Sequence, residues 1–63
     1  MSKKIRVETF DGKTRTISLT DAKKEFGEDE LFEYVLGYSS TAIFFLVVDG
    51  VDLHPVTKDV FFN

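Results

Sequence analysis

The apolar run Ala42–Val48 constrains the fold more than any other segment of the chain. Its seven residues are too few to cross a bilayer as a helix, which needs about 20 residues. Their β-branched and aromatic side chains favour a strand, which we expect over Ile43–Val48. Because side chains alternate between the two faces of a strand, this strand is apolar on both faces. We therefore expect it at the centre of a sheet, covered on both sides.

An N-terminal hairpin is predicted over residues 4–19, where apolar and polar residues alternate. Its turn contains Asp11 and Gly12. The loop length is decided by the requirement that the apolar side chains of both strands lie on the same face of the hairpin. A three-residue loop over residues 10–12 pairs Ile5 with Ile17 and collects the apolar side chains on one face. A two-residue loop would divide them between opposite faces. Gly12 then takes the left-handed position of the turn. The apolar set consists of Ile5, Val7, Ile17 and Leu19.

Helical spacing of apolar residues follows the hairpin. Thr20 is the expected N-cap, and Gly27 interrupts the pattern. A second stretch over Glu28–Leu36 places its apolar side chains on one stripe and ends at Gly37. Two short helices and one helix kinked at Gly27 both satisfy this pattern.

The last twenty residues predict a second hairpin and a docked tail. The hairpin turn is Asp49-Gly50, and Pro55 restricts the following strand to a sheet edge because it cannot donate to a ladder. The tail Val60–Phe62 is expected as a final strand or a docked segment. The sequence thus predicts one α+β domain over residues 1–63. Its antiparallel sheet has four strands in ββ-α-ββ order, or five if the tail joins, with one helical layer on one face.

Composition excludes most catalytic chemistry. The chain has no Cys and one His, which excludes disulfides, thiol catalysis and cysteine-based zinc sites. His54 shares a strand face with Asp52, but the sequence places no nucleophile or further metal ligand beside them. We therefore expect a surface histidine, no catalytic residue, no cofactor and no metal, and a protein that is not an enzyme.

The number of aromatic residues favours association. Seven Phe and two Tyr are many for the core of 63 residues, and one helical layer leaves the second sheet face open. Either a second copy or the chain's own tail can cover that face, and a symmetric homodimer is the commonest such arrangement. The expected interface residues are the anchors Phe44, Phe45, Phe61 and Phe62, with Tyr34 and Tyr38 at the rim.

Charge is divided unevenly along the chain, whose formal net charge is −3. Residues 1–15 hold five basic and two acidic side chains, and residues 16–63 hold three basic and nine acidic ones. A run of acidic residues on a helix is usually a solvated face, and it is also a candidate surface for docking a basic partner. The expected docking face consists of Glu28, Asp29, Glu30 and Glu33.

These features together predict a small, acidic, self-associating protein-interaction module, located in the cytoplasm and not in a membrane. An inhibitor that occupies the surface of a partner protein, of the kind that phages and mobile elements encode, fits this description. The alternative is a small nucleic-acid-associated regulator that uses the basic N-terminal hairpin to contact phosphates.

Overall fold

The computed structural model describes residues 2–62 as a four-stranded antiparallel sheet with three helices. The strands are β1 (Lys3–Thr9), β2 (Thr14–Ser18), β3 (Ala42–Val48) and β4 (Val51–Asp52). The helices are α1 (Leu19–Phe26), α2 (Glu28–Val35) and α3 (Lys58–Phe62). The α+β class and the four antiparallel strands are confirmed. The ββ-α-ββ order with a single helical layer is not, because two helices separate β2 from β3 and a third follows β4.

The N-terminal hairpin has the register that the alternation of apolar and polar residues predicts. Ile5 lies opposite Ile17, and the Thr9 N–H donates to the Lys13 carbonyl at 2.9 Å, which closes a three-residue loop. Gly12 has φ +92°, a conformation that disfavours a residue with a Cβ. The alternation of apolar side chains therefore fixes this half of the sheet.

The first helix begins earlier than the sequence suggested. Ser18 is the N-cap of α1, since its Oγ accepts the Asp21 N–H at 3.1 Å, and Thr20 lies inside the helix. Leu19 consequently belongs to the helix and not to the hairpin, although it is still buried. Gly27, at φ +88°, separates α1 from α2, so the chain forms two helices and not one kinked helix.

Strand β3 pairs along its whole length with β1, and the sheet order is β2-β1-β3-β4. On its other side β4 pairs only with Val47 and Val48, and the Leu53 N–H donates to the Leu46 carbonyl at 2.8 Å. The sheet order confirms the expected central position of β3, between β1 and β4. The first half of β3 nevertheless has no strand beside it on the β4 side. A two-residue β4 is too short to cover the seven residues of β3.

The two faces of the sheet differ in burial. The inner face contributes half of the buried core residues: Ile5, Val7, Ala42, Phe44 and Leu46, with Ile17 partly buried against them. The outer face has no buried side chain and consists of Lys4, Arg6, Glu8, Thr14, Thr16, Ser18, Ile43, Phe45, Val47 and Asp52. Both faces of β3 were predicted to be covered. Within the described residues, the chain covers the inner face and leaves the outer face without a buried side chain.

The tail docks as a helix and not as a strand. Phe61 of α3 is 0% exposed, and its ring centroid lies 5.2 Å from that of Phe32 on α2. The Lys3 ammonium donates to the Val60 carbonyl at 2.7 Å, and the Lys23 ammonium donates to the Phe61 carbonyl at 2.8 Å. The tail thus fills the core beside α2 and does not cover the outer face, which the fold-back alternative required.

No helix within residues 2–62 has both the length and the apolar character needed to cross a membrane.

Truncation of Phe61 should be among the most destabilising changes in the chain. Phe61→Ala removes a fully buried ring, and we expect a loss of about 3–5 kcal/mol in the free energy of unfolding. Phe61→Leu keeps most of the volume and should cost less, so it remains measurable if the alanine variant unfolds. The matched control is Phe62→Ala, at a half-buried ring of the same helix. Urea denaturation measures all three, and equal losses for the two alanine variants would contradict this packing.

The cost in stability of substituting Gly12 should depend only on how readily the new residue adopts a positive φ. A Cβ at this position meets no atom within 4 Å, so Gly12→Ala has no steric contact to relieve. We expect a loss of about 1 kcal/mol from the positive φ, and a smaller loss for Gly12→Asn, since asparagine adopts positive φ more readily. Thermal unfolding of both variants tests this order, and a neutral alanine variant would contradict it.

Candidate functional site

Two of the four expected phenylalanine anchors lie in the core. Phe44 belongs to the inner face, where its ring centroid is 5.0 Å from that of Tyr34 and 5.3 Å from that of Phe26. Phe61 is enclosed between the helices and the sheet. Neither ring is available to anchor a partner at the surface, and Tyr34 is half-buried against Phe44. Of the nine aromatic residues, two are thus buried in the core and four are partly buried against it: Phe26, Phe32, Tyr34 and Phe62.

Phe45 lies on the outer face beneath an arginine. The Arg6 guanidinium carbon is 4.4 Å from the centroid of the Phe45 ring. Arg6 donates to both carboxylate oxygens of Asp52 at 2.8 Å and to Glu8 at 2.9 Å. We name Arg6, Glu8, Phe45 and Asp52 the Arg6 cluster. The hydrogen bonds from Arg6 lower the pKa of Asp52 below its ordinary value.

In the Arg6 cluster, Asp52 is bound to Arg6 and does not pair with His54. Asp52 accepts hydrogen bonds from Arg6 with both carboxylate oxygens, and among residues 2–62 no contact joins it to His54. His54 is exposed, as expected for a surface histidine.

A groove between α2 and α3 brings together four of the expected site residues. Its volume is about 520 Å³, and its floor is aromatic, with the ring centroids of Phe32 and Phe62 5.3 Å apart. Tyr38 is 76% exposed and Leu36 is 45% exposed beside this floor. We call this site the α2–α3 groove; it is lined by Asp29, Phe32, Glu33, Leu36, Tyr38, Lys58 and Phe62.

The acidic residues of α2 divide into two sets. Glu28 lies 3.6 Å from the Lys23 ammonium, and Glu30 accepts from the Tyr34 hydroxyl at 3.5 Å, so both have contacts outside the groove. Asp29 and Glu33 line the groove and form no ion pair within the described part of the chain. Two of the four residues of the predicted docking face thus line the groove, and two do not.

Three groove residues escaped the sequence analysis as site residues: Phe32, Leu36 and Lys58. Phe32 and Leu36 were assigned to the apolar stripe of a helix, and nothing local shows that α3 leaves part of this stripe exposed. The short tail gave no helical signal that would have placed Lys58 at the rim.

The basic hairpin is largely neutralised by intramolecular contacts. Arg15 donates to both carboxylate oxygens of Glu25 at 2.6 and 2.5 Å, and these bonds lower the pKa of Glu25. Arg6 binds Asp52 and Glu8, and Lys3 binds the tail. Three of the five cations in residues 1–15 are therefore engaged within the chain.

Comparisons of the chain with protein families, curated proteins and solved structures find no match. Over residues 2–62, no three His, Asp or Glu side chains are close enough to hold a metal ion.

Stability should fall in acid partly through the Arg6 cluster. A carboxyl group with a pKa lower in the folded than in the unfolded chain stabilises the fold above its unfolded pKa, about 4. That contribution disappears as the pH falls through the folded pKa. The pKa is lowered in this way for Asp11 by the Thr9 hydroxyl, for Glu25 by Arg15 and for Asp52 by Arg6. We therefore expect the free energy of unfolding to decrease below about pH 4.

Asp52→Asn isolates the contribution of this one carboxylate. We expect the variant to be less stable than wild type at neutral pH and to lose less stability on acidification. Arg6→Gln should reduce the acid dependence similarly, because it removes the partner that lowers the pKa of Asp52. Urea unfolding between neutral pH and pH 2 measures these slopes, and two variants with the wild-type slope would contradict the assignment.

Proposed function

We propose that this protein is a small protein-interaction module that binds a basic and apolar segment of a partner protein in the α2–α3 groove. One observation carries the proposal: Asp29 and Glu33 lack ion pairs within the described residues and line a groove whose half-buried aromatic floor adjoins the exposed side chains of Leu36 and Tyr38. An apolar floor with a charged rim is the usual composition of a protein-binding surface.

The spacing of the two carboxylates defines what the partner must carry. Asp29 and Glu33 are four residues apart, so they lie one turn apart on the same side of α2. A partner helix with Lys or Arg at positions i and i+4 can place one cation beside each carboxylate. An apolar side chain between them then contacts Leu36 and Phe62 on the floor. Tyr38 adds an amphipathic contact of the type enriched in binding hot spots.

The charge of the chain supports the same kind of partner. The net charge of −3 attracts a basic protein and accelerates its association, an effect that salt weakens. A module of 63 residues that covers a basic site on a larger protein acts by steric occlusion and needs no catalytic group. This is the mode of action we propose for an inhibitor of this type.

The alternative of a nucleic-acid-associated regulator has less support. Arg6 and Arg15 each bind a carboxylate bidentately, and a phosphate would have to displace Asp52 or Glu25. Lys4 and Lys13 remain as the other exposed cations of the hairpin. Two lysines give a weak, salt-sensitive contact and no sequence readout.

A model peptide tests the groove directly. The probe is an amphipathic helix of Leu and Lys with lysines at i and i+4, titrated into isotopically labelled protein. We expect amide chemical-shift changes centred on Leu36, Tyr38 and Phe62, and no binding of the same peptide with Glu in place of Lys. Asp29→Lys should weaken binding about tenfold or more, because it places a cation opposite the peptide's lysine.

Glu30→Lys is the matched control for Asp29→Lys. It makes the same charge change in the same turn of α2, at a residue that does not line the groove. We expect its affinity for the peptide to stay close to that of wild type. Equal losses for the two variants, or shifts centred away from the groove, would refute the proposed site.

A further inference from the structure

We infer that two copies of this chain associate by pairing the free edge of β3, antiparallel, across a two-fold axis at Ile43. This inference goes beyond the groove, since it concerns a different surface and a different partner. The sequence analysis placed self-association on six aromatic residues, of which Phe44 and Phe61 are buried in the core. The sheet offers a different location, at the unpaired edge of β3.

Because β4 is short, the first half of β3 has no strand beside it, although Ala42 and Phe44 are only 6% and 7% exposed since their side chains lie on the inner face. In an antiparallel ladder the N–H and C=O of alternate residues point to the same side of a strand. The Leu46 carbonyl points to the β4 side, where it accepts from Leu53, so the main-chain groups of Phe44 and Ala42 point that way too. Within residues 2–62 these groups have no main-chain partner, and an unpaired strand edge is a template for a further strand.

A cleft follows the free edge. It has a volume of about 300 Å³ and lies between the C-terminal end of α2 and the segment after β4, where a longer β4 would have run. Two of the five large apolar side chains that are exposed in the described chain line it: Leu36, 45% exposed, and Ile43, 48% exposed. The edge therefore offers both main-chain hydrogen bonds and apolar area.

A second copy of β3 satisfies this edge with a defined register. With the two-fold axis at Ile43, Ala42 of each copy lies opposite Phe44 of the other, and the two pairs can exchange four main-chain hydrogen bonds. Ile43 then faces Ile43 of the second copy at a non-hydrogen-bonded position, where Cα atoms approach to about 4.5 Å. The most exposed apolar side chain of β3 is thereby covered by its own counterpart.

The chemistry of the strand favours this edge over the other one. Ala42–Val48 contains no charged residue and no proline, two of the devices that protect a strand edge from pairing. The opposite edge strand, β2, contains Arg15, whose ion pair with Glu25 lies beside that edge, and its outer-face residues are Thr14, Thr16 and Ser18. A two-fold contact through β3 also closes on itself, so it gives a dimer and not a filament.

Sedimentation equilibrium over micromolar to millimolar protein tests the association. We expect the wild-type mass to rise from 7.2 kDa towards twice that value. Ile43→Lys should lower the association constant about tenfold or more, because it places two like charges opposite each other. The matched control Thr16→Lys adds the same charge to the outer face at the other edge strand and should keep wild-type association. A monomeric wild type throughout, or equal losses for both variants, would overturn the inference.

A mixing experiment tests the register. Residue 43 faces its own counterpart in this arrangement, so Ile43→Lys and Ile43→Glu should each associate more weakly than wild type alone and associate when mixed. Circular dichroism should show both variants folded, since Ile43 lies on the outer face. A mixture that stays monomeric beside a dimeric wild type would overturn the pairing. Asp29→Lys, which impairs the groove, should dimerise as wild type does, so failure of one proposal is distinguishable from failure of the other.

Discussion

The pairing of β1 with β3 is the constraint on which the rest of this structure depends. It joins residues 3–9 to residues 42–48 and sets Ile5 opposite Leu46, two of the most deeply buried residues in the core. The same register sets Arg6 opposite Phe45 on the outer face, where the guanidinium covers the ring. A slip of one residue would exchange the faces of one strand and dismantle both arrangements at once. Core and outer face are thus two consequences of one alignment.

The helices pack against only the inner face of the sheet. The candidate surfaces lie where this helical cover ends. The three helices contribute to the core on the inner face, and Phe61 occupies space that a small domain often fills with a disulfide or a partner chain. Of the large apolar side chains that stay exposed in the described residues, Leu36 and Tyr38 follow α2, and Ile43 lines a cleft with Leu36. The other two, Phe10 and Val51, lie in the hairpins. Leu36 lines both the α2–α3 groove and the cleft beside β3, so the two proposed interfaces adjoin at this residue. In a dimer through β3, the second copy would therefore lie beside the α2–α3 groove of the first.

The sequence anticipated those features whose signal lies within a few residues. Apolar alternation fixed the hairpin loop at residues 10–12, and Asp49-Gly50 marked the second turn. The N-cap was misplaced because Ser18 and Thr20 both offer a hydroxyl, and the choice depends on where β2 must end for α1 to cover the sheet. Of the site, Asp29 and Glu33 were found by their charge and Tyr38 by its aromatic character. Their convergence on one groove depends on the position of α3, which a five-residue tail does not encode locally.

The sequence by itself determined the periodicities: the alternating strands of the first hairpin, helical spacing on both sides of Gly27 as far as Gly37, and an acidic second stretch. These depend on steric and hydrophobic preferences that act over one turn or one strand. Only the tertiary structure decided which strands are neighbours, how far β4 extends, and that Phe61 enters the core while Ile43 stays at the surface. Such outcomes are set by contacts between residues distant in the chain, whose energies depend on how all the elements pack together and not on any local pattern.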